Sequence, residues 1–435
     1  MGNLPRIAQT LPYAPNIFPN AEEALEPFGF SDYSFNGEHI GLTWGGHLND
    51  GVIAADTVNL IRHFGDGGTD GKPWFLAVNF INPHDIMFYD ATGVQAETRS
   101  RRNLIGSVKP EPGAALYDSE WDFPLPQSFH DDLSRKPGQQ LRSRARSNRS
   151  FGQMPLEEPV WKKYRNYYFN CIRDVDEHIG CVLNALQQSG QADQTIVVFT
   201  SDHGEMAGAH GMRQKGPSMY KENIGVSLYI DHPDFSAGEI DALASSVDLI
   251  PTLLEISGVP ESEHASRWPD LKGVSLAGAL SGGKTDRDSR GMLLDYTATL
   301  SWDIDLIATI FAGQARGLFT DDEKARMASG LSLDNYACFR GISDGRYKFA
   351  RYFKPAEHHT PEDWQTLTGH NELELYDTLE DPDECNNLAE DPGPKTRPLI
   401  LTLNAKLNEL ISTEIGIDDG SYYPPGRDYT LATRP

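Results

Sequence analysis

Asp202 and His203 place a carboxylate and an imidazole side by side just beyond an apolar run, and oxygen and nitrogen donors of this kind hold divalent cations. They stand in Thr195-Ile-Val-Val-Phe-Thr-Ser-Asp-His-Gly-Glu205, where Ile196 to Thr200 form the short continuous run of a strand buried on both faces. The run stops at Ser201, so both groups leave the strand at its carboxyl end, where open α/β sheets bind ligands. Gly204 beside them lets the chain turn. Asp-His-Gly is as often a turn as a site, so the pair alone leaves both readings open.

The elements that must position this pair lie on either side of it. From Pro159, Tyr164, Tyr168, Cys171, Ile172, Val175, Ile179, Val182, Leu183 and Leu186 recur at helical spacing, and Ser189-Gly190 ends the helix. A helix feeding a strand through a short turn is the crossover of a parallel sheet. An earlier unit has the same form. Around Asp50, read as an N-cap, a helix begins with Ile53, Thr57, Leu60, Ile61 and Phe64 on one face, and it stops at Gly65. A second buried strand, Trp74 to Ile81, then exits into Asn82-Pro83-His84-Asp85.

Residues 86 to 155 lack periodicity and carry two basic clusters: Arg99, Arg101 and Arg102, then Arg135, Lys136, Arg142, Arg144, Arg146 and Arg149. They are expected to form a solvated mobile loop, or a lid whose positive charge steers an anionic substrate. Beyond the Asp-His pair come a strand over Val226 to Ile230 and a helix through Leu243, Val247, Ile250, Leu253, Leu254 and Ile256, bent at Pro251. After about residue 285 the pattern changes to a strand at Met292, helical segments over 303 to 330, a hairpin over Ala337 to Phe353 turning at Asp344-Gly345, and a strand at Glu372 to Tyr376. A last helix carries Leu399, Leu403, Leu407, Leu410 and Ile411. The expected fold is α/β, a mixed, largely parallel sheet flanked by helices over 1–285, with a smaller C-terminal antiparallel α+β domain over 286–435.

With 435 residues, 39% of them hydrophobic, the chain can bury a large core. Its formal net charge of −25 disfavours nucleic acid and anionic membrane surfaces as partners. No run approaches 18 apolar residues, so no membrane span is expected. Met1-Gly-Asn-Leu-Pro-Arg6 has no apolar core of a secretory signal, which makes a cytoplasmic location the default. The cysteines, Cys171, Cys181, Cys338 and Cys385, show no Cys-x-x-Cys spacing and point to a reduced environment.

Four segments together resemble the sulfatase family, within the alkaline phosphatase superfamily. They are Pro73-Trp-Phe-Leu-Ala-Val-Asn-Phe-Ile-Asn-Pro-His-Asp85; Ile196 to Glu205 with His210-Gly-Met-Arg-Gln-Lys-Gly-Pro-Ser-Met-Tyr220; Val247-Asp-Leu-Ile-Pro-Thr-Leu-Leu-Glu-Ile-Ser-Gly258; and Gly345-Arg-Tyr-Lys-Phe349 with Glu374-Leu-Tyr-Asp377 and Asp381-Pro-Asp-Glu384. The resemblance implies an alkaline phosphatase-like fold. It makes Asp202 and His203 ligands of one divalent ion, in the Asp-His form shared with phosphonate and phosphate ester hydrolases. Calcium is the first expectation, with magnesium, manganese or zinc as alternatives. Lys215 matches the lysine that clamps sulfate oxygens; read without the motif it is a surface lysine in a glycine-rich loop. His84 matches a histidine that contacts the ester and protonates or stabilises the departing oxygen, a role worth about 10² to 10⁴-fold; read alone it caps a loop. His210 is a candidate to support the ligands from behind, structural rather than catalytic.

The family nucleophile is a formylglycine made from the first residue of Cys/Ser-x-Pro/Ala-x-Arg. Cys171 is followed by Ile-Arg-Asp-Val, Cys181 by Val-Leu-Asn-Ala, Cys338 by Phe-Arg-Gly-Ile and Cys385 by Asn-Asn-Leu-Ala, and no serine fits. The family's early strand with two adjacent aspartates is also missing, and Glu26-Pro-Phe-Gly-Phe30 resembles a segment that follows both. The chain is therefore expected to begin downstream of its nucleophile, leaving the 1–285 domain incomplete and inactive alone unless a separate chain supplies the rest. The implied reaction is hydrolysis of a small-molecule or carbohydrate sulfate ester. Alternatives are a phosphodiesterase or phosphonate monoester hydrolase of the same superfamily, and a non-catalytic binding module that keeps the fold.

Overall fold

The computed structural model describes residues 29–30, 44–95, 108–297, 306, 320, 323, 332–357 and 360–416. The expected helical segments of 303–330 fall almost wholly outside these residues, as do Arg99, Arg101 and Arg102.

Helix α1 runs Gly45–Gly65 and buries Ala54, Thr57 and Ile61. It starts five residues before Asp50, which is therefore not its cap but an interior residue, fully buried. Helix α2 spans Gly138–Phe151, where a mobile loop was expected. Periodicity missed it because its buried side chains are polar: Gln139, Gln140 and Ser147. Helix α3, Glu158–Gln188, has proline in its first turn and ends at Ser189, as the sequence suggests. Its buried residues include Trp161, Tyr164, Tyr167, Cys171 and Val175, whereas Ile172 and Leu183 face solvent.

Strand β1, Val197–Thr200, pairs antiparallel with β2, Leu228–Asp231. It was expected to be buried on both faces and to have a parallel neighbour; instead Phe199 is 43% exposed and Tyr229 opposite it 67%. Trp74 to Ile81 is extended with alternate residues turned to solvent, and it joins no ladder among the described residues. Trp74, Leu76 and Val197 nevertheless pack on one layer with Ile61 of α1 and Ala185 and Leu186 of α3. The helices thus support both extended segments whose ends carry the candidate site.

Helix α4, Leu249–Ile256, places Pro251 in its first turn, where no amide is required, so the expected bend is absent. A capping box of Ser245 and Asp248 precedes it. The second sheet is antiparallel in the order β3 (Met292–Tyr296), β4 (Cys338–Ser343), β5 (Tyr347–Phe353), β6 (Asn371–Asp377). Gly345, at φ +94°, opens the two-residue turn between β4 and β5. One face of this sheet packs Phe349 and Leu375 against Ile400, Leu403 and Leu407 of helix α5, Thr396–Leu410. The other face places Phe339, Ala350, Tyr352 and Tyr376 against Met206, Met212, Met219 and Tyr220. Among the described residues no helix is long and apolar enough to cross a membrane.

Candidate active site

The chain leaves β1 at Ser201 and delivers Asp202 and His203 onto an open rim, with the Asp202 side chain 84% exposed. The His203 amide donates to Asp202 Oδ1 at 2.9 Å. His203 Nδ1 donates to the carbonyl of Gly204 at 2.8 Å, which fixes the tautomer and leaves Nε2 with its lone pair free. That Nε2 lies 3.4 Å from Asp202 Oδ2, a spacing at which both atoms could ligate one ion. The donor set fits a divalent cation, since a metal-binding imidazole normally donates its other nitrogen to a carbonyl or carboxylate in this way. Gly204 serves close approach more than turning: a Cβ there would stand 2.1 Å from the Glu222 carbonyl oxygen.

Lys215 reaches the same rim along a second loop, and its Nζ lies 3.4 Å from His84 Nδ1. The ammonium can only donate, so His84 Nδ1 accepts and its Nε2 carries the hydrogen. Burial among protein atoms, followed by the positive field of Lys215 and by that of the His203 ring when it is protonated, lowers His84 from its usual 6.5 to about 4. Asp202 pulls weakly the other way, which places all four residues within one electrostatic neighbourhood.

Residues 205–214 shape the loop before Lys215. Ala207, His210 and Gln214 all have positive φ without being glycine, a conformation that persists only where surroundings enforce it. One oxygen of Glu205 provides much of that enforcement, accepting from the amides of Ala207 (3.2 Å) and Gln214 (2.6 Å) and from the Tyr164 hydroxyl of α3 (3.2 Å). Desolvation raises the Glu205 carboxyl above its ordinary range, against the pull of those donors. Beyond Lys215, Asn223 accepts from the Gly216 amide (3.3 Å) and donates to its carbonyl (2.8 Å), while its own carbonyl takes the Gly204 amide (2.8 Å). One asparagine thus ties the Asp202–Gly204 turn to the Lys215 loop. Sequence reasoning missed both Glu205 and Asn223; the acidic residue following His-Gly was the one available signal.

His210 is placed elsewhere. It is fully buried, stacked 3.7 Å from the Tyr220 ring, with Nδ1 2.8 Å from Asp131 Oδ2. Asp131, His210 and Cys385 bring ligand-type atoms within 4.8 Å of one another. The Lys136 ammonium already supplies a cation there, 3.6 Å from Asp131 and donating to Tyr376 Oη and the carbonyls of Glu384 and Cys385. Of the α2 arginines, Arg142, Arg144 and Arg146 are half-buried and Arg149 is exposed; Arg146 donates to the Lys215 carbonyl at 3.5 Å, and Arg213 donates back to the Ser147 carbonyl at 3.0 Å.

A sulfatase family model matches residues 10–259. The chain belongs to the sulfatase family. Over 148 residues it is 33% identical to the uncharacterized sulfatase YidJ of Escherichia coli, a match covering 33% of this chain and 28% of that one. It is 38% identical over 135 residues to an N-acetylglucosamine-6-O-sulfatase of Bacteroides thetaiotaomicron, covering 30% and 23%. The multifunctional alkaline phosphatase superfamily protein PehA of Trinickia caryophylli is 26% identical over 332 residues, covering 75% of this chain and 53% of PehA. The matched region thus spans about half or less of these curated relatives. Among solved structures, a 2-O GAG sulfatase superposes with a TM-score of 0.56 at 21% identity, covering 89% of this chain and 70% of that one. The phosphonate monoester hydrolase of Agrobacterium radiobacter gives 0.52 at 22%, covering 82% and 60%. These sulfatase and phosphonate hydrolase neighbours share the α/β alkaline phosphatase-like fold.

Proposed function

We propose that this sulfatase-family chain grips the sulfate group of a sulfated carbohydrate for ester hydrolysis. The observation that carries this reading is the approach of Lys215 Nζ to His84 Nδ1, 3.4 Å apart, beside the Asp202–His203 pair. Asp202 Oδ2 and His203 Nε2 would hold one divalent cation, calcium first, which when bound would polarise the ester oxygens and offset their charge. Lys215 supplies a point charge to the sulfate oxygens that strengthens as negative charge builds in the transition state. His84, neutral near pH 7, donates Nε2–H toward the departing oxygen and stabilises it by hydrogen bonding rather than by giving up a proton. Carbohydrate as the substrate body follows the N-acetylglucosamine-6-O-sulfatase relative.

The covalent step needs a nucleophile, and none of the four cysteines opens a Cys-x-Pro-x-Arg motif, so the contribution assigned to these residues is binding and orientation. Calorimetric titration of the full chain with N-acetylglucosamine 6-sulfate, with and without calcium, tests it. Calcium-dependent binding lost in Lys215→Ala is expected; equal affinity in that variant overturns the reading. The Asp-His pair also suits a phosphonate monoester, and tighter binding of phenylphosphonate than of the sulfate would select that reading instead.

A further inference from the structure

His84 reaches the rim at the end of a segment that joins no ladder among the described residues, so among those residues contacts other than cross-strand pairing set its register. Asp50 is suited to do so. Both of its carboxylate oxygens face the chain just before His84: Oδ1 accepts the Ile81 amide at 2.7 Å and Oδ2 the Asn82 amide at 3.0 Å. These are the last two backbone donors before Pro83, which has none, and the His84 amide closes back onto the Ile81 carbonyl at 2.8 Å.

The Asn82 side chain is held as firmly. Its Nδ2 donates to Asp174 Oδ2 at 3.3 Å, an oxygen that also takes the Tyr117 hydroxyl at 2.8 Å and lies 2.9 Å from His47 Nδ1. Its Oδ1 lies so close to α1 that a Cβ on Gly46 would fall 2.2 Å away. A fully buried carboxylate is costly unless it is well hydrogen-bonded, and here its partners are the backbone amides whose position decides where His84 points.

We propose that Asp50 is a positioning residue that acts through His84: it fixes the register of Ile81–Asn82 and so aims the His84 imidazole at the oxyanion clamped by Lys215. The inference rests on the reading of the rim as an oxyanion site. A double-mutant cycle tests it, with inorganic sulfate as the probe, calorimetry in calcium buffer as the readout, and the unsubstituted chain, Asp50→Asn, His84→Ala and the double variant as samples. Each single substitution should weaken sulfate by roughly tenfold, and the double by no more than either alone, because residues that act through one another couple. Additive losses, or unchanged affinity in Asp50→Asn with a loss in His84→Ala, overturn the inference and leave the site reading standing. Unchanged affinity in His84→Ala, or an unsubstituted chain that binds no sulfate, overturns the site reading and this inference with it. Should Asp50→Asn fail to fold, amide hydrogen exchange of the unsubstituted chain decides: Ile81 and Asn82 should exchange as slowly as the interior amides of α1, and fast exchange at both overturns the proposal.

Discussion

The imidazole of His84 is kept neutral by two causes that act together: surroundings that penalise the cation, and an ammonium 3.4 Å away. An NMR titration of the side chain should therefore find its midpoint near 4, and Lys215→Met should raise it toward 6.5 without reaching it, because burial remains. The folded value lies below the unfolded one, so the unfolded chain binds the extra proton between about pH 6.5 and 4. The stability that His84 contributes is then complete above that window and lost as pH falls through it. In urea melts the unsubstituted chain should lose stability relative to His84→Gln as pH falls through the window; parallel stabilities across it would contradict the assignment. Asp202, His203, His84 and Lys215 were legible because each stands in a motif with recognisable neighbours. Glu205 and Asn223 were not, since they tie together turns of one irregular loop, and the role of Asp50 was not, since the amides it bonds lie 31 and 32 residues away, a pairing that leaves no pattern along the sequence.

Elements built on apolar periodicity were read well, as α3 and α5 show, and the β4–β5 hairpin was read from its turn residues, whereas elements with polar buried faces were not. Helix α2 is polar throughout much of its buried face, and its Ser147 hydroxyl bonds Gln214 at 3.1 Å instead of packing against an apolar core. Strand β1 read as doubly buried because composition reports which side chains a strand carries and not which neighbours cover them. At this scale the start of α4 makes the sharpest prediction. Asp248 and Arg287 are both fully buried; the guanidinium bonds the carboxylate at 2.6 Å and also pairs with Glu414, while Asp248 accepts the amides of Ser245 and Val274. Arg287→Met would leave the carboxylate buried without its counterion, and chemical denaturation should show a loss of about 3 to 5 kcal/mol. A loss below about 1 kcal/mol would mean that the amide donors alone satisfy Asp248.

Taken as a whole, the molecule turns aromatic rings outward: Phe199 and Tyr229, with ring centroids 5.9 Å apart on the two-stranded sheet, are 43% and 67% exposed, and Phe75 is 70% exposed. Exposed apolar side chains gathered on a sheet promote association between chains. Sedimentation velocity should show mass rising with concentration, and Phe199→Ser with Tyr229→Ser should reduce it; a monodisperse monomer at all concentrations would contradict this. The core shared by Met206, Met212, Met219 and Tyr220 with Phe339, Ala350, Tyr352 and Tyr376 carries a different consequence. The strained loop leading to Lys215 is cast against the far sheet as against a mould, and Tyr220 and Tyr376 even share the Glu374 carboxylate. Swapping the last third of this chain for that of a distant cousin would therefore disturb the grip on substrate without altering a residue that touches it, and only exchanges that carry loop and sheet together should survive recombination.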